Sequence, residues 1–158
     1  MSRPKRLPHV SYIGKARYFL TFCVRDRREA FNEAEDAASA IAQFLRTSSE
    51  ERFAILAYCI MPDHAHLLVE GIDDGSDLRR FPKLAKQRSG ALHRRKHERR
   101  LWQEGYFERV LRDDDSGRDL ARYIIDNPVR KGLVASPRDY PHLGSGTWSL
   151  DELLESVV

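Results

Sequence analysis

Two pairs of side chains carry the chemistry this sequence could perform: His64 with His66, two residues apart, and Tyr123 with Asn127, four apart. In a strand, residues i and i+2 leave the same face with Cα atoms about 6.5 Å apart, so imidazoles at 64 and 66 can reach one metal ion while Ala65 points away. In a helix, residues i and i+4 share a face one turn apart, so a phenol at 123 and an amide at 127 can point into one site. Each pair also has an ordinary reading. Histidines beside a Pro-Asp turn are common hairpin residues, a helical tyrosine is usually core, and an Asn before proline usually ends a helix. For the histidines the setting favours chemistry. An apolar strand precedes them and Leu67-Leu68-Val69 follows, and two imidazoles in the middle of a sheet need a shared polar reason to be there.

The elements that must position these residues follow from local pattern. Tyr18–Val24 is rich in aromatic and β-branched residues and reads as a strand; Asn32 to about Arg46 repeats apolar residues at helical spacing. Phe53–Ile60 and His64–Glu70 form a hairpin around Met61-Pro62-Asp63. From Asp77 to about Glu98 the pattern is helical and basic, with Pro82 and Gly90 interrupting it or setting its ends. Leu101–Leu111 suits a last strand bent at Gly105, and after the capping residues Asp113–Ser116 a helix carries Leu120, Tyr123, Ile124 and Asn127 until Pro128 stops it. The order β-α-β-β-α-β-α predicts an α+β, ferredoxin-like βαββαβ antiparallel sheet with an added C-terminal helix. Residues 1–140 form one domain in this reading, and 141–158, with Pro141, Gly144 and Gly146, a loosely attached tail.

Bulk numbers agree with one soluble domain: 158 residues, 41% hydrophobic, 32% charged, with 27 Lys+Arg against 24 Asp+Glu. Cys23 and Cys59 stand singly in apolar runs, which excludes a zinc ribbon or a disulfide scaffold and suggests buried thiols of a cytosolic protein. Neither a membrane span nor a signal segment is visible, so a cytoplasmic location is expected. The charge is unevenly spread. Between Arg79 and Arg100 there are ten Lys/Arg and a single acid, Glu98, whereas the stretch from Asp151 onward carries three acids and no base. Such a basic run predicts a polyanion partner rather than a merely solvated face. The candidate contact residues are Arg3, Lys5 and Arg6 near the N-terminus, and Arg79, Arg80, Lys83, Lys86, Arg88, Arg94, Arg95 and Lys96 on the basic helix. Trp102, Tyr106 and Phe107 either stack on bases or fill the core.

The segments Met61-Pro-Asp-His-Ala-His-Leu-Leu-Val69 and Tyr123-Ile-Ile-Asp-Asn-Pro-Val-Arg-Lys-Gly-Leu-Val134 resemble the two signatures of the HUH single-tyrosine, IS200-like transposases, specifically the REP-associated tyrosine transposase branch. Supporting matches are Tyr18–Phe22 with Asp26, Arg27 and Phe31, and Trp102–Phe107; the likeness spans about residues 15–135. It implies that His64, His66 and Asn127 bind a divalent cation, Mg²⁺ or Mn²⁺, and that Tyr123 is the nucleophile attacking a DNA phosphate. It further implies a single-stranded DNA substrate folded as a palindromic hairpin, cleaved and rejoined through a 5′-phosphotyrosine, in a bacterial, nucleoid-associated enzyme acting as monomer or homodimer. Asp63 departs from the commoner Asn, and Lys131 from the commoner Ala. Two other readings stay open: a domesticated hairpin-binding protein that cuts poorly, and a metal-dependent hydrolase using water as nucleophile.

Overall fold

The alternation of enclosed and half-enclosed residues along Arg17–Cys23 (β1) and most of Phe53–Met61 (β2) marks strands with each face against a different layer. A computed structural model of the protein describes residues 12–112 and 117–157. In it β1 is followed by α1 (Ala34–Glu50), β2, β3 (His64–Gly71), α2 (Phe81–His97), β4 (Phe107–Leu111), α3 (Gly117–Arg130), β5 (Leu143–Gly144) and α4 (Leu150–Ser156). The strands lie in the order β4-β1-β3-β2-β5, every pairing antiparallel. Its first four positions are those of the split βαβ ferredoxin-like sheet, with β5 added beyond β2.

Two apolar layers sandwich this sheet. On one face Leu20, Phe22, Leu67 and Val69 meet Ala37 and Phe44 of α1 and Phe81 and Ala85 of α2. On the other, Ala57, Cys59, Met61 and Leu68 meet Ala121, Ile124 and Ile125 of α3. Residues 65, 67 and 69 of β3 therefore face α1 and α2, and the strand's period of two turns 64, 66 and 68 toward α3.

Several sequence expectations are corrected. The strand expected over Leu101–Leu111 is confined to Phe107–Leu111; Leu101–Tyr106 is a loop with one bridge, Val24 to Trp102. Trp102 is core, packed against Phe22, Phe31 and Phe44 with its indole N–H donated to Ser89 Oγ at 2.9 Å, and Tyr106 packs partly buried against Phe22. Pro82 stands in the first turn of α2, where a missing N–H costs nothing, and Gly90 is carried inside that helix without a break. Pro128 does not stop α3, which runs on to Arg130 at the cost of the one helical bond a proline cannot donate, and then ends near Gly132 at φ 73°.

The tail is docked, not loose. β5 pairs with Tyr58 and Cys59, the Tyr140 hydroxyl donates to the Ile60 carbonyl at 2.6 Å, and Leu153 and Val157 complete the apolar layer over α3. A reciprocal Ser149–Glu152 capping box starts α4. Glu152 serves that cap and Asp151 pairs with Arg138, on the α3 side of the sheet and away from α2. The expected capping segment, residues 113–116, and the expected contacts Arg3, Lys5 and Arg6 lie outside the described residues.

Candidate active site

The tight β2–β3 turn fixes where the histidines begin. Its backbone is anchored from outside the hairpin, Val24 N–H donating to the Asp63 carbonyl at 2.9 Å and Phe31 N–H to the Pro62 carbonyl at 3.1 Å. Asp63 then works in two directions. Its Oδ1 lies 2.6 Å from His64 Nδ1, and its Oδ2 accepts from Arg27 Nε at 3.0 Å and Nη2 at 2.8 Å. The preceding loop delivers that guanidinium by placing Asp26 and Arg27 in left-handed backbone at φ 59° and 53°. Register sets the second histidine's partner. His66 lies opposite Thr21 of β1, and Thr21 Oγ1 sits 2.9 Å from His66 Nδ1. With both rings held from the Nδ1 side, their Nε2 atoms converge to 3.1 Å.

Electrostatics keeps these rings neutral. Burial disfavours the His66 imidazolium, and repulsion from His64, Arg130 and Arg27 adds to it, so its pKa falls to about 3. Burial also lowers His64, against a raising pull from Asp63. The Asp63 carboxyl stays below its usual range, since hydrogen bonds from His64 and Arg27 outweigh the opposing effect of burial. A carboxylate at 2.6 Å requires a proton on His64 Nδ1, which leaves a lone pair on its Nε2. If Thr21 accepts from Nδ1–H of His66, that ring also turns a lone pair inward, and two lone pairs 3.1 Å apart form half the donor set of a divalent cation. Asn127 leaves a further oxygen unclaimed. It is 3% exposed on the inward face of α3, and its Oδ1 is enclosed with no hydrogen-bond partner among the described residues. The residues present thus fit a cation.

Tyr123 sits one turn before Asn127 and on the flank of α3, where it is 47% exposed. Its ring centroid lies 6.0 Å from that of His66 and 6.1 Å from Phe19, and Phe19 in turn lies 5.3 Å from His66. The Arg130 guanidinium lies over the Tyr123 ring at 4.2 Å and donates to the Tyr123 carbonyl at 2.9 Å. The fold therefore brings together His64, His66 and Tyr123, from positions far apart in sequence, and turns the Asn127 amide inward on the same helix.

The basic helix lies elsewhere. α2 covers the opposite face of the sheet, and four cations on it or just before it already have carboxylate partners: Arg79 with Asp77, Arg80 with Glu51, Arg88 with Glu50, and Lys96 with Glu33, Glu35 and Asp36. Lys86 donates to the carbonyls of Gln103 and Gly105. Lys83, Arg94 and Arg95 have no carboxylate partner among the described residues, and Lys83, Lys86, Arg94 and Arg100 border a groove of about 690 Å³ between α2 and residues 100–106. Exposed pairs of this kind contribute about 0–1 kcal/mol, so a phosphate can compete for the guanidinium groups.

Sequence reasoning gave Thr21 and Arg130 no place at the site, and named Arg27 and Asp63 without a role there. Thr21 becomes visible only from strand register, Arg27 only from the left-handed loop, whereas Arg130 stands seven residues after Tyr123, two turns along one helix face.

Comparison with known proteins places this arrangement. The family described as transposase IS200 like matches residues 12–127. A Haemophilus influenzae protein provisionally named REP-associated tyrosine transposase is 29% identical over 143 residues, covering 79% of this chain and 77% of its own. The Escherichia coli REP-associated tyrosine transposase is 29% identical over 133 residues, covering 82% of this chain and 76% of its own. Among solved structures, a REP-associated tyrosine transposase bound to a REP hairpin superposes with a TM-score of 0.74 at 22% identity, over 90% of this chain and 82% of that one. No helix among the described residues is long and apolar enough to cross a membrane. With the family's profile covering the first four strands, both histidines, Tyr123 and Asn127, this chain belongs to the IS200-like transposases.

Proposed function

We propose that the chain cleaves and rejoins single-stranded DNA beside a hairpin, with Tyr123 as nucleophile. The observation that supports this best is the pair of Nε2 atoms converging to 3.1 Å beside a half-exposed tyrosine whose ring is 6.0 Å from that of His66. The Tyr123 oxygen attacks a backbone phosphorus and gives its phenolic proton to solvent, while the bond to the 3′ oxygen breaks and that oxygen takes up a proton from solvent. A 5′-phosphotyrosine and a free 3′ hydroxyl result. Because the ester retains the bond's energy, another 3′ hydroxyl can reverse the step without an outside energy source. His64, His66 and Asn127 would hold Mg²⁺ or, more tightly, Mn²⁺, which would polarise the scissile phosphate and offset the charge on the departing oxygen.

The chain's own groups do the rest. Asp63 and Thr21 orient the imidazoles, and Arg27, anchored on Asp63, adds positive charge beside them. Arg130, over the Tyr123 ring, is placed to attract the phosphate to the phenol. The uncommitted cations of α2 and its groove would take the hairpin's backbone, supplying affinity and register but no sequence information. That hairpin substrate is carried over from the relatives' names and is supported here by the basic surface.

Incubating the protein with labelled hairpin DNA and Mn²⁺, followed by denaturation, tests the reading. A protein–DNA adduct is expected, and Tyr123→Phe, which keeps the ring, should abolish it and reduce cleavage by roughly a thousandfold or more. Cleavage at an undiminished rate in Tyr123→Phe would sink the proposal in favour of a water nucleophile.

A further inference from the structure

A second pair of histidines lies where α1 packs on α2, on the face of the sheet away from Tyr123. His93 and His97 stand one turn apart on α2, their ring centroids 4.4 Å apart, and Asp36 faces them from the first turn of α1. Asp36 and His93 are each 8% exposed. His97 Nε2 reaches both carboxylate oxygens, at 3.0 Å and 3.1 Å, while His93 Nε2 is enclosed and has no hydrogen-bond partner among the described residues. An ion-pair network between the helices accounts for Asp36 and His97 but leaves that nitrogen unexplained, and an unsatisfied buried polar atom costs about 1–3 kcal/mol.

One potential ligand atom from each of the three residues lies within 4.8 Å of the others. Tetrahedral Zn²⁺ with bonds of about 2.0–2.1 Å needs its ligand atoms roughly 3.4 Å apart, a separation reached by modest side-chain rotation. We propose that Asp36, His93 and His97 form a Zn²⁺ site that clamps α1 to α2. The donor set selects the metal. Two imidazoles and one carboxylate suit Zn²⁺, whereas Ca²⁺ and Mg²⁺ prefer oxygen shells. A cavity of about 70 Å³ bordered by Asp36, His93 and Lys96 leaves room for water as a fourth ligand. Lys96 is the competitor, with Nζ 3.1 Å from Asp36 Oδ1. Its alternative partners are already at hand, since Glu33 and Glu35 lie 3.5 Å and 3.4 Å from the same nitrogen. An entering ion can therefore displace the ammonium without leaving it unpaired.

The test is Zn²⁺ titration of the metal-stripped full chain by calorimetry, in a His64→Ala/His66→Ala background whose fold is checked by circular dichroism. One saturable Zn²⁺ per chain and a raised Tm are expected. His93→Gln should weaken binding roughly tenfold or more, and Lys96→Met should tighten it. Should the background or His93→Gln not fold, His97→Gln on the otherwise unchanged chain is compared with the wild type and should bind one Zn²⁺ fewer; its amide can still hydrogen-bond Asp36. A folded background that takes up no Zn²⁺, or binding unchanged by both His93→Gln and His97→Gln, would overturn the proposal. Because the cleavage assay reads the opposite face of the sheet, neither result substitutes for the other.

Discussion

The two histidine pairs lie on opposite faces of one sheet with nearly equal ring separations, 4.6 Å for His64 and His66 and 4.4 Å for His93 and His97. What separates them is where the carboxylate stands. Asp63 meets Nδ1 of His64 from behind and Thr21 meets Nδ1 of His66, so the two Nε2 atoms are turned together toward a face that Tyr123 shares. Asp36 instead meets Nε2 of His97 from the front, and Lys96 closes on the same carboxylate. A carboxylate behind an imidazole orients the ring and leaves its far nitrogen free, whereas one in front of it faces that nitrogen directly. Backbone spacing agrees. The strand's i,i+2 pair projects from a sheet toward a facing helix, and the i,i+4 pair lies in a helix–helix seam.

The sharpest way to break this comparison is to remove a strand imidazole. His66→Ala should lower Mn²⁺-dependent cleavage by about a thousandfold, or about 4 kcal/mol, as measured by single-turnover release of labelled strand. The corresponding change across the sheet, His93→Gln, acts on the Zn²⁺-dependent melting temperature instead. If His66→Ala cleaves within tenfold of the wild type, the strand pair has no privileged role and the contrast fails.

Removing the carboxylate behind the ring gives a smaller effect. Asp63→Ala frees the His64 imidazole to change tautomer and releases Arg27, and should weaken Mn²⁺ binding about 10- to 100-fold. Asp63→Asn retains an oxygen for His64 Nδ1–H but loses the charge, so it should fall between. Equal Mn²⁺ affinity in all three proteins, measured by titration, would show that orientation from behind is not what distinguishes this pair.

Sequence legibility followed the same divide. The strand pair could be read because a period of two places His64 and His66 on one face whatever else the fold does, and the βαββαβ order could be read because each apolar run is bounded by turn residues. Thr21 could not, since its meeting with His66 depends on the register of β1 against β3, which is set by packing far from either residue. Asp36 could not for a similar reason: it meets His93 and His97 only through the docking of α1 on α2. Although the i,i+4 spacing of those histidines is plain, they read as two more polar residues of a basic helix. The docked tail was concealed by its glycines, yet its Ser149-x-x-Glu152 start is a capping signal that local reading can use.

The smallest effect concerns pH and can be read by unfolding the protein in the presence of a chelator. His66 titrates near 6.5 when unfolded and is pushed down to about 3 when folded, so between these values the unfolded chain holds a proton that the folded chain lacks. Its contribution is fully present above pH 6.5 and is lost as pH falls toward 3, by at most about 1.4 kcal/mol per pH unit. Burial lowers His64, His93 and His142 in the same direction, whereas the lowered carboxyls of Asp36 and Asp63 add their loss only at more acidic pH. Urea melts between pH 6.5 and 5 should therefore show stability falling with acidity. His66→Gln should flatten that slope by nearly one proton. Equal slopes in His66→Gln and the wild type would mean that the His66 ring takes up its proton within the fold, and the neutral, inward-turned lone pair that sets the strand pair apart from the helix pair would not exist.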